Sequence, residues 1–364
     1  MLCDSAFSSL LHNPAGEMKR GRSGPGRPKA GSPSVASLHS VSLRSGFASL
    51  VLILFMTLIP SCSPLVHIVT GSAGYLAKHT ISVLLQTETA TPTSPIVGLV
   101  RSSRVTDERA FYADEPLVTI EDIDTYEAVA PNRLYLLASN FRNVPGHEIS
   151  QAMENINTLP EQITRLKPLS VVHVSSMAAV RGPGQKPKNG EVFTAADDYN
   201  TVSKLTEGDF GKSYQYSKTE QEIRVKRTCD DLDIPLCSIC PSLILGPPVH
   251  ACNSESLSML TKWYGGSSCQ SRLLVDVRDV AQSIVNGGGK EGRYIVSKED
   301  RTGGEELCRI VNKYGGNAKP GGWEGGKEVR NDSEKLGVRL RDLETTIKDT
   351  IEGLKLNKQQ QVKR

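Results

Sequence analysis

The chain has 364 residues, enough for one large domain or two modest ones with a full hydrophobic core. Its 43 basic and 40 acidic residues nearly balance, so a net charge of +3 gives no electrostatic case for nucleic acid as the main partner. Eight cysteines in a chain of this length do not form a disulfide framework.

The first 64 residues differ from the rest. They are rich in Ser, Gly, Pro, Lys and Arg, and they contain only two acidic residues. The apolar run over 47–59 is shorter than the roughly 20 residues of a membrane span, and small residues follow it, as in the core of a signal peptide. The basic, Ser-rich segment before it has the composition of a transit peptide instead.

We therefore expect residues 1–64 to be a signal, targeting or tethering segment that directs the protein to an organelle or the secretory pathway. Any membrane contact would then be limited to residues 47–59, if these are retained. A mis-called gene start is the alternative, because Met18 and Met56 are both candidate starts. The protein would then be cytoplasmic.

From Leu65 onward, strand and helix patterns alternate. The strand patterns are LVHIVTG, PIVGLV, RLYLLAS, SVVHVSS and PLCSICPSLILG; helical patterns occur in YLAKHTISVLLQ, ISQAMENINTLPEQITRL and YSKTEQEIRVKRTCDD. This alternation predicts βαβ units, and hence an α/β fold with a Rossmann-type doubly wound parallel sheet. A less regular final third follows, with an amphipathic helix and a polar tail at its end.

A glycine-rich turn follows the first strand. Gly71, Gly74 and Ala77 form a G-x-x-G-x-x-A pattern. The first glycine suits a tight turn, the second lets the backbone approach a pyrophosphate, and the small third residue lets the helix pack on the sheet. At the opening of the first βαβ unit, this pattern favours a dinucleotide over a purely structural turn.

The residue after the second strand indicates which dinucleotide binds. Arg101 stands there, with Ser102, Ser103 and Arg104 beside it. A guanidinium with neighbouring hydroxyls suits a ribose 2′-phosphate, whereas an acidic residue would suit a free 2′-hydroxyl. The sequence favours NADP over NAD, and the alternative role of Arg101 is a solvated loop residue.

Two tyrosines precede Lys218 in SYQYSKTEQE. Tyr214 lies four residues before it, so on a helix both side chains share one face. Tyr216 lies two residues before it and faces away. A nearby ammonium would lower the phenol pKa from about 10 and make proton transfer to a carbonyl oxygen feasible.

The strand SVVHVSS ends in Ser175 and Ser176, at the edge where open α/β sheets bind ligands. A hydroxyl there could hold a substrate oxygen beside Tyr214. Serines at a strand end could equally cap a helix or form a turn.

The pair Cys237 and Cys240 has CxxC spacing inside an apparent buried strand. Residues three apart on a strand point to opposite faces, so we expect packing rather than a redox or metal site. No metal site is predicted.

Together these segments resemble an extended short-chain dehydrogenase/reductase of the NAD-dependent epimerase/dehydratase superfamily. The similarity is greatest to the branch of dihydroflavonol reductase, cinnamoyl-CoA reductase and methylglyoxal reductase. It runs from about Leu65 to Leu354 through VTGSAGYLA, VRSS, VVHVSSMAAV, SYQYSKTEQE, CPSLILGPP, LLVDVRDVAQSIV and GRYIVS. It implies an NAD(P)-binding domain over 65–245, a smaller substrate-binding part over 246–355, and a polar tail over 356–364.

The resemblance implies an NADPH-dependent reductase of a small carbonyl substrate. Ser176, Tyr214 and Lys218 would be catalytic, with Tyr214 as proton donor. The implied cofactor-binding residues are Gly71, Gly74, Ala77, Arg101, Ala138, Ser139, Pro241, Ser242 and Leu243.

The chain departs from the family pattern in several places. The Pro or Trp often found beside the catalytic Tyr is absent, and the segment SESLSMLTKWYGGSSCQSR is short where the family builds its substrate pocket. EQE replaces the usual LAE after the catalytic Lys, and the acid of the third strand is not readable. The alternatives are an NAD-dependent sugar-nucleotide epimerase or dehydratase, and a non-catalytic protein of the same fold. Arg101 and the Ser176–Met177 register argue against the first, and the presence of both Tyr214 and Lys218 argues against the second. Substrate identity and oligomeric state are not predicted.

Overall fold

The computed structural model describes residues 65–87, 89–137, 144–250, 254–322 and 325–362. The predicted segment 1–64 and the predicted cofactor residues Ala138 and Ser139 lie outside these ranges. None of the helices within them is long and apolar enough to cross a membrane.

The elements of the first half alternate between strand and helix. In chain order they are β1 (Val66–Thr70), α1 (Tyr75–Gln86), β2 (Ile96–Val100), α2 (Ser102–Phe111), β3 (Val118–Asp122), β4 (Asn132–Leu136), α3 (Glu148–Leu166), β5 (Ser170–Val174), α4 (Met177–Val180), α5 (Phe210–Asp231) and β6 (Leu236–Pro241).

The second half is less regular. It comprises β7 (Leu243–Leu245), α6 (Glu255–Tyr264), β8 (Ser268–Cys269), β9 (Leu274–Asp276), α7 (Val277–Asn286), β10 (Gly292–Val296), β11 (Asp300–Arg301), α8 (Gly304–Lys313), β12 (Lys319–Pro320), β13 (Gly326–Lys327), a 3₁₀ turn (Ser333–Leu336) and α9 (Leu343–Val362).

Seven parallel strands form the central sheet, in the order β10-β6-β5-β4-β1-β2-β3. Strands β2 and β5 are buried along their whole length, as expected when helices cover both faces. The sheet confirms the predicted Rossmann-type fold. The order of the strands reverses between β1 and β4, which opens a crevice at their carboxyl ends where such sheets bind ligands.

Successive residues of each strand supply two different cores. Val69 belongs to the cluster with Ile81 of α1 and Ile284 of α7, whereas Ile68 belongs to the cluster with Ile163 of α3 and Val225 of α5. This is the two-residue period of a strand with both faces covered. Helix α5, which carries Tyr214 and Lys218, is thereby fixed by its apolar side against α3 and the sheet.

The central sheet extends across the predicted domain boundary at residue 245. Strand β10, which lies after it, is an edge strand of the same seven-stranded sheet, and the described residues before and after 245 belong to one compact unit. The later segment nevertheless has a core of its own, which includes Leu260, Trp263 and Ile351.

Cys237 and Cys240 are both fully buried in β6 and belong to different core clusters. Burial raises the pKa of each thiol to about 12. The two side chains therefore pack on opposite sides of the strand as neutral thiols, as the strand period predicts.

Replacing Leu134 by Ala tests the central packing. Its side chain is fully buried in β4, next to β1, so we expect a loss of about 2–5 kcal/mol in the free energy of unfolding. Urea unfolding followed by circular dichroism measures it. The matched control is Leu169→Ala, because that side chain is 61% exposed and should change stability by less than about 0.5 kcal/mol. Equal losses in the two variants would contradict the assigned core.

Candidate active site

The turn between β1 and α1 has the geometry expected of a phosphate cradle. Gly71 has φ +65°, a conformation that favours glycine, and its N–H donates to the Leu99 carbonyl at 2.8 Å. A Cβ on Gly74 would lie 3.0 Å from the Gly71 carbonyl oxygen. Ala77 is buried in the core. No side chain caps the start of α1, so its first N–H groups and positive dipole end suit an anion.

Arg101 directly follows β2 and is exposed. Its guanidinium makes no hydrogen bond or ion pair with any residue that the structure describes. A guanidinium that lies at this edge of the sheet without an acidic partner could bind a phosphate.

Asp122, which sequence reasoning missed, ends β3 at the same edge of the sheet. It accepts a hydrogen bond from the Ser102 hydroxyl and one from the Asp124 N–H at 3.0 Å, and these two bonds hold the pKa of its carboxyl below the usual range. The alternation of apolar residues in LVTIED was the available signal for this strand.

Ser176 combines the two roles that the sequence left open. Its Oγ accepts the Ala178 N–H at 3.1 Å and so caps α4. The Tyr214 hydroxyl also donates to it, at 3.4 Å. Tyr214 lies in the first turns of α5, which begins where the Asp209 carboxylate accepts the Lys212 N–H at 2.9 Å. The predicted serine and tyrosine are thus brought together by a strand end and a helix start.

Lys218 lies one turn further along α5 and is buried. Its ammonium donates to Gln221 Oε1 at 3.0 Å and approaches the Val174 carbonyl at 3.5 Å. Burial lowers the lysine pKa to about 8, and the nearby Glu222 carboxylate opposes this shift.

The expected lowering of the Tyr214 pKa is not found. Burial raises the pKa of this phenol above 10, and the hydrogen bond to Ser176 opposes the rise only in part. The reason is desolvation, because the protein atoms packed around the phenol disfavour its charged form. The phenol of Tyr214 therefore carries its proton at neutral pH.

Glu222 is a second residue that the sequence did not single out. It accepts from the Ser175 hydroxyl at 2.5 Å and from Arg293 Nε, on β10, at 2.5 Å. The side chains of Glu222 and Arg293 are only 3% and 9% exposed. Helix α5 is thus joined to the strand end that carries Ser176 and to the edge of the sheet.

Arg293 extends this network into the segment before α5. Its guanidinium donates to the carbonyl oxygens of Ala179, Ala195 and Asp198 at 2.6–3.2 Å and lies 3.9 Å from the centre of the Tyr199 ring. A buried cation thus joins α4 and the segment after it to the edge strand β10.

The residues after β6 present a further unsatisfied group. Pro241 ends the strand and is buried, and Leu243 begins β7. The hydroxyl oxygen of Ser242 is buried without a hydrogen-bond partner, and so is that of Ser72 in the glycine turn. Buried hydroxyls normally have a partner, so both positions suit a polar ligand along this edge.

The chain is similar to known reductases in sequence and in fold. A family model described as "Male sterility protein" matches residues 150–278. Cinnamoyl-CoA reductase 1 of Arabidopsis thaliana is 24% identical over 317 residues, which cover 79% of this chain and 88% of that protein. Cinnamoyl-CoA reductase 2 of the same plant is 27% identical over 268 residues, covering 68% of this chain and 76% of that protein.

The crystal structure of yeast methylglyoxal/isovaleraldehyde reductase complexed with NADPH has the same fold. It superposes with a TM-score of 0.64 at 19% identity, over 81% of this chain and 99% of that one.

Replacing Glu222 by Gln tests the buried ion pair. The substitution removes the charge that compensates Arg293, so we expect the free energy of unfolding to fall by about 3–5 kcal/mol. Chemical unfolding at neutral pH measures it. Glu344→Gln is the control: Glu344 pairs with the exposed Lys313, and surface pairs contribute little. A Glu222 variant as stable as this control would show that Arg293 does not need the carboxylate.

Proposed function

We propose that this chain is an NADPH-dependent reductase of an aldehyde or ketone. It resembles the branch of the extended short-chain dehydrogenase/reductases that contains dihydroflavonol reductase, cinnamoyl-CoA reductase and methylglyoxal reductase. The observation that carries the proposal is the hydrogen bond from Tyr214 to Ser176, with Lys218 one turn away on the same helix. The relatives are named as reductases, and the yeast protein holds NADPH.

The cofactor would lie across the carboxyl edge of the sheet. The turn at Gly71 and Gly74 would hold its pyrophosphate, Arg101 its 2′-phosphate, and Ser242 a polar group near the nicotinamide. When bound, NADPH supplies the hydride for the carbonyl carbon. Asp122 at the end of β3 would face the adenine side.

The chain's own residues would supply the proton and hold the substrate. Ser176 would bind the carbonyl oxygen and orient it toward the Tyr214 hydroxyl. Because the pKa of Tyr214 lies above 10, the phenol carries the proton that this oxygen needs as it gains negative charge. Lys218, charged below about pH 8, would hold the nicotinamide ribose and stabilise the phenolate left after the transfer.

The two alternative functions have less support. An NAD-dependent epimerase or dehydratase would be expected to place an acid where Arg101 stands. A non-catalytic protein of this fold would have no need of the Ser176–Tyr214 hydrogen bond or of a buried lysine beside it.

Tyr214→Phe tests the proton donor. The variant keeps the ring but loses the hydroxyl, so we expect kcat for carbonyl reduction to fall by about 10²–10⁴-fold. NADPH oxidation over a panel of aldehydes and ketones measures it. Tyr216→Phe, on the same helix and also half-buried, is the matched control and should retain activity. Equal rates for the two variants would rule out Tyr214 as the acid.

Arg101→Ala tests the choice of cofactor. Loss of the guanidinium should raise KM for NADPH by at least about tenfold, the effect of a charged hydrogen bond, and leave KM for NADH nearly unchanged. Steady-state kinetics with both cofactors measure the ratio. A parallel change for NADPH and NADH would show that Arg101 does not bind a 2′-phosphate.

A further inference from the structure

Gln221 stands three residues after Lys218 on α5, in the EQE segment that departs from the family pattern. Its side chain is fully buried, and both the nitrogen and the oxygen of its amide have hydrogen-bond partners. A buried amide with all its polar atoms engaged fixes the groups that it contacts, because breaking any of these bonds would leave a polar atom unsatisfied.

The orientation of this amide is determined by its neighbours. Gln221 Nε2 lies 2.7 Å from the backbone carbonyl oxygen of Asn155, which can only accept. Oε1 must therefore face the other way, where the Lys218 ammonium, which can only donate, lies at 3.0 Å.

His173 on β5 completes the surroundings of this oxygen. Its Nε2 lies 3.5 Å from Gln221 Oε1, and its Nδ1 is buried without a partner. Burial lowers the His173 pKa to about 3, so the ring is neutral, with its proton on Nε2. Both neighbours thus present donors to one oxygen, and neither can accept from Gln221.

The amide also connects two helices. Asn155 belongs to α3, which packs along α5, and Asn155 is itself buried. The carbonyl oxygen that holds Gln221 is therefore part of a rigid helix backbone, and the position of Oε1 follows from the packing of α3 against α5.

We propose that Gln221 is a positioning residue for Lys218: it holds the ammonium at one place in the buried site and keeps it charged. The importance of that ammonium for catalysis rests on the reductase function proposed above. The role of Gln221 in holding it does not, because it follows from the contacts of the cofactor-free protein.

The other groups around Lys218 do not replace this contact. Glu222 on the same helix is engaged by Ser175 and Arg293, and Cys240 on β6 is a buried thiol. The Tyr214 hydroxyl donates its hydrogen bond to Ser176, and His173 presents a donor. Among the side chains that the structure describes around the ammonium, only Gln221 offers an oxygen within hydrogen-bond distance, at 3.0 Å.

Two variants separate the roles of the amide oxygen. Gln221→Met keeps the length of the side chain but removes the acceptor, so the titration midpoint of Lys218 should fall by about one pH unit. Gln221→Glu adds a carboxylate at the same place and should raise the midpoint. Gln162→Met is the matched control, because Gln162 is also a buried glutamine, on α3, but is not a hydrogen-bond partner of Lys218.

The readout is the pH dependence of acetylation of Lys218 by acetic anhydride, measured residue by residue with mass spectrometry on the full chain without cofactor. We expect a midpoint near 8 in the parent and in Gln162→Met, with shifts in opposite directions in the two Gln221 variants. An unchanged midpoint in both Gln221 variants would overturn the proposal. If Gln221→Met does not fold, the rise in Gln221→Glu carries the test alone, and its absence overturns the proposal.

Kinetics then separate this proposal from the proposed function. In Gln221→Met, KM for NADPH should rise by a larger factor than kcat falls, because a misplaced ammonium binds the ribose less well. If the midpoints shift as expected but no carbonyl compound is reduced by the parent protein, the reductase function fails and the positioning role stands.

Discussion

The buried ion pair between Glu222 and Arg293 is the interaction on which the geometry of the site depends. Isolated charges would be costly to bury, and this pair is tolerable because its remaining hydrogen-bonding capacity is also used. Glu222 holds the Ser175 hydroxyl, and Arg293 holds the backbone carbonyls of Ala179 in α4 and of Ala195 and Asp198 in the segment between α4 and α5. The pair therefore joins the helix of Tyr214 to the strand end of Ser176 and to the edge strand β10.

Burial also determines the protonation states of the site. It raises the pKa of Tyr214 and lowers that of Lys218 to about 8. At neutral pH the phenol therefore keeps its proton, and the ammonium keeps its charge. These are the states that a proton donor and a ribose-binding cation need, and they arise from desolvation rather than from a direct effect of the lysine on the tyrosine.

Local sequence patterns were sufficient to predict the elements that carry the site. The glycine turn could be recognised because its φ and its close backbone approach require particular residues, and helical spacing distinguished Tyr214 from Tyr216. The contact between Glu222 and Arg293 could not be predicted in this way, since it joins residues 71 positions apart. The prediction of a lowered pKa for Tyr214 was wrong, because the degree of burial of a side chain cannot be read from local sequence patterns. Asp122 was missed because β3 is an edge strand with exposed and polar positions, which weaken its apolar pattern.

The most direct test of the proposed reducing site is a crystal structure of the protein with NADP⁺ bound. We expect the pyrophosphate on the turn at Gly71 and Gly74, the 2′-phosphate against Arg101, and the nicotinamide ribose within hydrogen-bond distance of Lys218, beside the Tyr214 hydroxyl. A cofactor bound with its nicotinamide away from Tyr214 and Lys218 would contradict the central claim that these residues form the reducing site.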